Sequence, residues 1–128
     1  MQYYFNKIVE MTFEETIDKV TEELKKEGFG VLTEIDVKAA LKKKIDVDFR
    51  KYRILGACNP SYAYKALLAE DKIGTMLPCN VIVQEREDGK IEVAAIDPIA
   101  SMQAVENESL GGIAVEVHAK LKKVIENM

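Results

Sequence analysis

The sequence predicts an α+β (mixed α/β) fold, a single two-layer domain in which helices pack on a mixed sheet of about five strands. Three observations predict it. In the first half of the chain, segments with the apolar spacing of a strand alternate with segments that have the apolar spacing of a helix. A β-hairpin signal follows, and an amphipathic helix closes the chain. The resulting element order is β-α-β-α-β-α-β-β-α. At 128 residues the chain has the length of one domain, spanning residues 1–128.

The first strand and the first helix follow from local signals. Residues 3–9 are rich in aromatic and β-branched side chains, which is typical of a strand. The segment Thr12–Glu15 matches a capping box, in which a hydroxyl and a carboxylate satisfy the free backbone N–H groups at a helix start. Apolar residues then recur at helical spacing as far as Leu24, and Gly28 is a typical helix stop.

Two further strand–helix units follow, each predicted from an apolar run and a polar residue that begins a helix. Their predicted bounds are residues 29–35 and 52–57 for the strands, and residues 36–44 and 59–70 for the helices. Asp36 is predicted to cap the first of these helices. The Asn59-Pro60 step is predicted to begin the second, because proline fits a first helical turn. The second helix carries an apolar set at helical spacing: Tyr64, Leu67 and Leu68.

The strongest local signal is a β-hairpin in the second half. Residues 80–87 and 90–96 flank Asp88-Gly89, a turn in which glycine supplies the positive φ angle. Because these strands are apolar at both parities, they are predicted to lie centrally in the sheet with both faces covered. Asp97-Pro98 ends the hairpin and begins a short helical or irregular segment. A closing helix starts at about residue 109 with one apolar stripe: Leu110, Ile113, Val117, Leu121 and Val124.

Charge and composition exclude several functional classes. A net charge of −4 and a pI of about 5.1 argue against nucleic-acid binding, which needs a basic surface. The basic cluster Lys42–Lys44 precedes two aspartates and is interpreted as a solvated helix face. No apolar run approaches the roughly 20 residues of a membrane span. With two cysteines and no export signal, the expected location is the cytoplasm, where thiols stay reduced.

Two Cys-Asn steps, each beside a proline, form the candidate site. Cys58 lies between the third strand and the helix that Pro60 begins, so its thiol is expected beside a helix N-terminus, where the dipole stabilises an anion. Asn59 is then the natural N-cap, and Gly56 is expected to permit a sharp turn and the close approach of a ligand. Cys58 is the candidate catalytic residue. The predicted ligand-binding residues are Cys58, Asn59, Cys79, Asn80 and Asp97.

The hairpin register predicts which of these residues meet. With the turn placed as above, Asn80 and Cys79 fall opposite Ile96 and Asp97, so Cys79, Asn80 and Asp97 are expected to cluster at the open end of the hairpin. Cys58 joins them if the third strand runs antiparallel to the first hairpin strand. If the two strands are parallel, the cysteines lie at opposite ends of the sheet.

The same residues have plainer interpretations, and the common catalytic templates are missing. A free cysteine is usually a small buried hydrophobe, and Asn59 and Asp97 are also typical helix caps. Zinc needs three or four close ligands, which two cysteines and the distant His118 do not supply, so no metal is predicted and any cofactor is unknown. His118 is interpreted as a flanking residue of the closing helix. The sequence has no glycine-rich phosphate loop, no Gly-x-Ser-x-Gly elbow and no Cys-x-x-Cys motif.

At these residues the chain resembles the family catalogued as domain of unknown function 302. The resemblance covers nearly the whole length and rests on four segments: GFGVLTEIDVK (28–38), YRILGACNP (52–60), LPCNV (77–81) and IDP (96–98). It implies a compact single-domain α/β fold of bacteria and archaea that forms homodimers, with no established reaction, cofactor or partner. It supports the fold prediction and leaves the function open, since a fold does not determine a function.

Three functions remain open. The first is a cytoplasmic domain that binds a small, anionic or thiol-reactive molecule, or responds to redox conditions, through Cys58 and Cys79, with Asn59, Asn80 and Asp97 as hydrogen-bonding groups. The second is a homodimeric interaction or structural module whose thiols are buried and inert. The third is a cysteine-dependent enzyme of unknown reaction, with one cysteine as nucleophile or Asp97 transferring a proton. Nucleic acids and membranes are not expected as partners.

Overall fold

The computed structural model describes residues 2–128, and its elements follow the predicted order. In chain order they are β1 (Tyr4–Val9), α1 (Phe13–Lys26), β2 (Gly30–Asp36), α2 (Val37–Ile45), β3 (Tyr52–Cys58), α3 (Pro60–Ala69), a 3-10 helix (Asp71–Met76), β4 (Cys79–Glu85), β5 (Ile91–Ile96), α4 (Pro98–Ser101) and α5 (Ser109–Glu126). The strands form one sheet, and α1, α3 and α5 form a layer on one of its faces. The predicted α+β class is therefore confirmed.

The sheet has the strand order β1-β5-β4-β3-β2, and every neighbouring pair is antiparallel. The alternation of strands and helices led us to expect a mixed sheet, but the connections produce no parallel pair among the described strands. The segment of α3 and the 3-10 helix leaves and returns at the same end of the sheet, so β4 runs back beside β3. β1 and β2 lie at opposite edges, so α1 crosses the sheet instead of linking two neighbours.

α1 begins and ends where its local signals predict. The Thr12 hydroxyl accepts a hydrogen bond from the Glu15 amide at 3.1 Å, and the Glu15 carboxylate accepts one from the Thr12 amide at 3.2 Å. Gly28 has a φ of 85°, in the left-handed region that glycine adopts without strain. The helix held between these signals presents Val20 and Leu24 to the sheet, and both are fully buried.

The hydrophobic core lies between the helix layer and one face of the sheet. Alternate residues of the central strands point into it, and α1 and α5 contribute their apolar stripes. Its fully enclosed members include Leu55, Val81, Val83 and Val93 from the strands and Val20, Leu24, Leu121 and Val124 from the helices. Among residues 2–128 no helix, α5 included, combines the length and the apolar character that crossing a membrane requires.

The bulky apolar residues of α3 lie on its outer side. Tyr64, Leu67 and Leu68 are 66%, 45% and 70% exposed, whereas Ala66 is 2% exposed. Because α3 carries apolar residues around most of its circumference, the spacing did not reveal which side faces the protein. Small side chains such as Ala63 and Ala66 face inwards, which lets the helix approach the sheet closely.

The hairpin strands β4 and β5 occupy central positions, as their apolar residues at both parities predicted. Gly89 has a φ of 81° in the turn, and the register pairs Val81 with Ala95. The helix layer covers the face that carries Val81 and Val83. α2 buries none of its residues. The cover that was expected over the second face is therefore not supplied by the described part of the chain.

Candidate functional site

The two cysteines lie at the same end of the sheet, because β3 and β4 are antiparallel. Ala57 pairs directly with Cys79, and Gly56 pairs with Asn80. Cys58 is the last residue of β3, and Cys79 is the first residue of β4. The strand direction on which the single-site hypothesis depended is thus the one that brings both Cys-Asn steps together.

A small cavity lies at this end of the sheet, between α3, α5 and the ends of β3 and β4. Its volume is about 30 Å³, which is room for one or two water molecules. Its walls are mostly apolar and include Phe29, Ala57, Tyr62, Ala66, Leu77 and Val117, together with both cysteines. In this conformation the cavity has space for solvent but not for a larger molecule.

Cys58 and Cys79 are both free, and both are partly buried in the cavity wall. Burial raises the pKa of the Cys79 thiol to about 11, and the neighbouring Cys58 adds to the increase. A thiol with this pKa is almost wholly protonated near neutral pH and behaves as a small hydrophobe with a weak donor. The contribution of Cys58 to the shift indicates that the two thiols are close enough to interact.

Asn59 precedes α3 without capping it, which corrects the predicted role. Its side chain makes no capping hydrogen bond, and Nδ2 donates instead to the backbone carbonyl of Glu27 at 3.2 Å. This bond joins the end of α1 to the start of α3 across Gly28, where a Cβ atom would lie 3.1 Å from Asn59 Nδ2. The first N–H groups of α3, next to Cys58, therefore receive no cap from the Asn59 side chain.

Asn80 lies on the other side of the sheet from the cavity. Successive residues of a strand point to opposite faces, so Asn80 and Cys79 diverge although they are adjacent in sequence. Asn80 lines a separate open depression of about 350 Å³, together with Tyr3, Tyr4 and Tyr52. The cluster expected at the open end of the hairpin is therefore divided by the sheet, and Asn80 does not share the cavity with the cysteines.

Asp97 is hydrogen-bonded to His118, an interaction that the sequence did not predict. Asp97 Oδ1 accepts a hydrogen bond from the Ile99 amide at 3.0 Å and so caps α4, and the same oxygen lies 2.8 Å from Nδ1 of His118. The His118 ring packs edge-on against Phe5, with 4.9 Å between the ring centroids. Asp97 thus holds the imidazole of α5 in a fixed position at the end of β5.

The Asp97–His118 pair stands at the rim of the cavity. The hairpin register continued beyond its last pair places Asp97 level with Cys79, on the same face of the sheet. Pro98 and Val117, the chain neighbours of Asp97 and His118, both line the cavity. The pair is therefore beside the thiols, but its hydrogen bond is directed to the α4 start and not into the cavity.

The comparisons with known proteins assign the chain to a family. A model described as domain of unknown function DUF302 matches residues 5–128. The chain belongs to the DUF302 family. A crystal structure of an uncharacterised conserved DUF302 protein from Bacillus stearothermophilus is similar to it, with 28% sequence identity, a TM-score of 0.91 and 98% of each chain covered. No curated protein matches the sequence. The resemblance seen in the sequence is confirmed, and the DUF302 description names no reaction or ligand.

Gly56 of this DUF302 chain is required by its neighbours within the sheet. A Cβ atom at this position would overlap Oγ1 of Thr33 and would lie 2.8 Å from Cγ of Pro78. Thr33 belongs to the adjacent strand β2, and Pro78 leads into β4 on the other side. The close approach that we expected of a ligand at Gly56 is therefore made by the protein itself.

The reactive side chains at this end of the DUF302 chain form two pairs, Cys58 with Cys79 in the cavity and Asp97 with His118 at its rim. Among residues 2–128 there is no group of three or more His, Cys, Asp or Glu side chains that could hold a metal ion. One signal for the missed histidine was present in the sequence. His118 follows the buried Ala114 by four residues, which places it on the inner flank of the α5 stripe.

Proposed function

We propose that this chain is a thiol-based redox-responsive domain, in which Cys58 and Cys79 interconvert between two thiols and a disulfide. The observation that carries the proposal is that both cysteines line one small cavity. A cavity of about 30 Å³ supports a reaction between these two groups better than it supports a resident ligand. The small-ligand form of the hypothesis requires α3 to move outwards before a thiol-reactive molecule reaches Cys58.

The strand pairing brings the backbones of the two cysteines close together. Ala57 and Cys79 are direct partners, so the diagonal from Cys58 to Cys79 spans one strand spacing and one residue rise. With a spacing of about 4.8 Å and a rise of about 3.4 Å, the Cα atoms are separated by roughly 6 Å. This separation falls inside the range of about 4.4–6.8 Å that disulfides require. Because successive residues of a strand point to opposite faces and Ala57 shares a face with Cys79, the bond also requires the Cys58 side chain to turn towards the cavity at the end of β3.

The two cysteines have different roles in this proposal. The raised pKa of Cys79, about 11, keeps that thiol protonated at neutral pH, so it does not react first. Cys58 lies beside the uncapped N-terminus of α3, whose N–H groups and dipole favour a negative charge nearby. Cys58 is therefore the thiol that meets the oxidant, and Cys79 is the thiol that resolves the product.

The reaction with a peroxide has two balanced steps. The Cys58 thiol releases its proton and its sulfur attacks one peroxide oxygen. The O–O bond breaks and the leaving hydroxide takes up a proton, so the products are a sulfenic acid and one water molecule. The Cys79 thiol then attacks the sulfenic sulfur, an S–S bond forms as the S–O bond breaks, and a second water molecule leaves. Together the two thiols lose two protons and two electrons, and the peroxide is reduced to water. In the reducing cytoplasm that we propose as its location, the dithiol is the resting form.

The enzyme alternative receives less support from the geometry. The single histidine hydrogen-bonds Asp97 instead of a thiol. A nucleophilic cysteine needs a base within hydrogen-bonding reach, so the Asp97–His118 pair does not serve Cys58 or Cys79 as it stands. We therefore propose a responsive thiol pair in preference to a cysteine-dependent enzyme.

The experiment is a titration of the purified protein with hydrogen peroxide, followed by thiol counting and intact mass measurement. We expect both thiols of each chain to be lost together, with a mass decrease of two hydrogens and no covalent link between chains. Digestion without reduction should then yield one peptide pair that joins Cys58 to Cys79. A product that contains only disulfides between chains would contradict the proposal.

Two single variants separate the proposed roles. Cys79→Ser removes the resolving thiol, so oxidation should stop at a sulfenic acid on Cys58 that dimedone traps. Cys58→Ser leaves the thiol with the raised pKa, so this variant should resist both peroxide and alkylation near neutral pH. Equal reaction rates for the two variants would show that the roles are wrongly assigned.

A further inference from the structure

An apolar groove lies beside the thiol cavity, between α4 and the first half of α5. Its volume is about 280 Å³, which exceeds the roughly 150 Å³ of a protein cavity that holds benzene. The groove is therefore large enough for a short hydrocarbon chain. Its apolar lining consists of Ile99, Met102, Val105, Leu110, Ala114 and Val115.

The groove offers no charged partner to a ligand. Charged residues make up 31% of the sequence, but none of those among residues 2–128 lines the groove. The lining has two polar side chains, and the amide of Asn107 is already engaged: Nδ2 donates to the carbonyl of Ala69 at 2.7 Å, and Oδ1 accepts from the Ser109 amide at 3.0 Å. The other, Gln103, is exposed to solvent. Because the burial of an ion without a partner is costly, the groove selects an uncharged hydrocarbon group.

The groove and the thiol cavity share a wall. Met102, which follows α4, and Ala114 of α5 line both spaces. Ala114 contributes only a methyl group to this wall, and Met102 is a flexible side chain with three rotatable bonds. Met102 is half-buried, so it has solvent on one side and room to change its rotamer. The groove is therefore an apolar approach to Cys58 and Cys79.

The two spaces differ in size in a way that matches the two parts of an organic hydroperoxide. The thiol cavity, at about 30 Å³, has room for one or two water molecules, which is also the room that the two oxygen atoms of a hydroperoxy group need. An alkyl tail does not fit in that cavity, whereas the adjoining groove has the volume and the apolar lining to hold it. The shared wall thus separates a place for the reacting oxygens from a place for the tail.

We propose that the preferred oxidant of the thiol pair is an alkyl hydroperoxide, whose tail lies in the groove while its hydroperoxy group enters the thiol cavity past Met102. This inference rests on the proposed redox function and adds the chemical class of the oxidant to it. The continuity of the groove with the cavity selects this occupant over an unreactive hydrocarbon, because the hydroperoxy group is one that the two thiols reduce and that the cavity has room for.

The reaction with an alkyl hydroperoxide is balanced in the same two steps. The Cys58 thiol releases its proton, and its sulfur attacks the terminal oxygen of the hydroperoxide. The O–O bond breaks, the alkoxide leaves and takes up a proton, and the products are a sulfenic acid and an alcohol. The Cys79 thiol then attacks the sulfenic sulfur, an S–S bond forms as the S–O bond breaks, and one water molecule leaves. The alcohol keeps the tail and leaves through the groove.

The experiment measures the second-order rate constant of thiol loss with hydrogen peroxide and with methyl, butyl and hexyl hydroperoxide. Gly111→Leu places a side chain in the groove lining, where a Cβ atom meets nothing within 4 Å and leucine favours the helix more than glycine does. The matched control is Gly112→Leu, the same change at the next residue of α5, which also has open space and does not line the groove.

A second groove variant is Val115→Asp, which adds a charge at a position that is 56% exposed and so does not depend on how a leucine packs. Circular dichroism verifies that each variant is folded. The readout is the ratio of the hexyl to the methyl rate constant, because these two oxidants share their reacting group and differ only in the tail.

We expect the wild-type ratio to be roughly tenfold or more, because the burial of a few methylene groups has an effect of this size. Gly111→Leu and Val115→Asp should lower the ratio several-fold, and Gly112→Leu should keep it. A wild-type ratio near unity, or equal ratios in Gly111→Leu and Gly112→Leu, would overturn this inference, while oxidation by hydrogen peroxide would still support the redox function. If none of the four oxidants formed the disulfide, both proposals would be wrong.

Discussion

Asn59 and Asp97 occupy the same local motif but make different hydrogen bonds. Each precedes a proline that begins a helix. Asp97 has only acceptor atoms, and it takes hydrogen bonds from the α4 start and from His118. Asn59 also has a donor, and it uses that donor on the carbonyl of Glu27, one of the groups that the end of α1 leaves without a helical partner. The donor and acceptor atoms of the side chain therefore decide whether the residue caps its own helix, as Asp97 does, or bonds to another helix, as Asn59 does.

At the same scale, the Cys79 thiol links stability to pH. Its pKa rises to about 11, whereas a cysteine in an unfolded chain titrates near 8.5. Between these values the unfolded state has lost a proton that the folded state keeps, so the free energy of unfolding falls as pH rises. The contribution is fully present below about pH 8.5, and about 3 kcal/mol is lost by about pH 11.

Urea unfolding of the wild type and of Cys79→Ala, in steps from about pH 8 to 10.5, tests this linkage. The stability difference between the two proteins should shrink with rising pH, because other titrating groups cancel in the comparison. Cys58→Ala serves as the control and should keep most of the wild-type pH dependence. A difference that stays constant across the range would contradict the assignment to Cys79.

At the scale of elements, β3 is the strand on which the site depends. It pairs with β2 on one side and with β4 on the other, and both partners come close at Gly56. Thr33 and Pro78 occupy the space that a side chain at Gly56 would need. The register that brings Cys58 beside Cys79 therefore requires a residue without a side chain two positions earlier.

Gly56→Ala should lower the free energy of unfolding by about 1–3 kcal/mol, as overpacking of a filled site does. The matched control is Gly30→Ala in β2, because nothing lies within 4 Å of a Cβ atom there. That variant should be neutral or slightly stabilising, by up to about 1 kcal/mol, since alanine restricts the unfolded chain. Chemical denaturation measures both variants. Equal changes in the free energy of unfolding at the two glycines would show that the close packing at Gly56 does not affect stability.

At the scale of the whole molecule, the two faces of one sheet serve different purposes. One face closes the core with α1, α3 and α5. The other carries a row of apolar residues that the helix layer does not cover: Ala94, Ile82, Ile54 and Ile35. A single chain can bury only the first. The homodimer that the family resemblance implies would bury the second, so folding and association would be linked and the stability of the protein would depend on its concentration.

The melting temperature should therefore rise with protein concentration, by roughly 2–3 °C for each tenfold increase, which follows from mass action and the unfolding entropy of a chain of this length. Scanning calorimetry over two decades of concentration measures the rise. Ile82→Lys, in the uncovered apolar row, should melt with a weaker dependence on concentration, while Leu68→Lys on the outer side of α3 should behave as the wild type does. A wild-type melting temperature that ignores concentration would speak against a dimer.

The sequence predictions are accurate where a feature depends on neighbouring residues, and they fail where it depends on residues far apart in the chain. The capping box at Thr12 and the turn at Gly89 need only neighbouring residues, and both are present. The bond from Asn59 to Glu27 and the bond from His118 to Asp97 join residues far apart in the chain, so no local pattern contains them. The direction of β3, on which the shared cavity depends, is likewise set by the path of α3 and the 3-10 helix across the end of the sheet.

The path of α3 and the 3-10 helix has a consequence for the oxidised protein. Residues 59–78 leave the sheet at Cys58 and rejoin it at Cys79, so a bond between the two sulfur atoms would turn this segment into a covalent ring. Closing a ring of about 20 residues removes enough freedom from the unfolded chain to add roughly 3 kcal/mol of stability. The oxidised protein should then resist local unfolding and proteolysis in this segment, and reduction should remove that resistance.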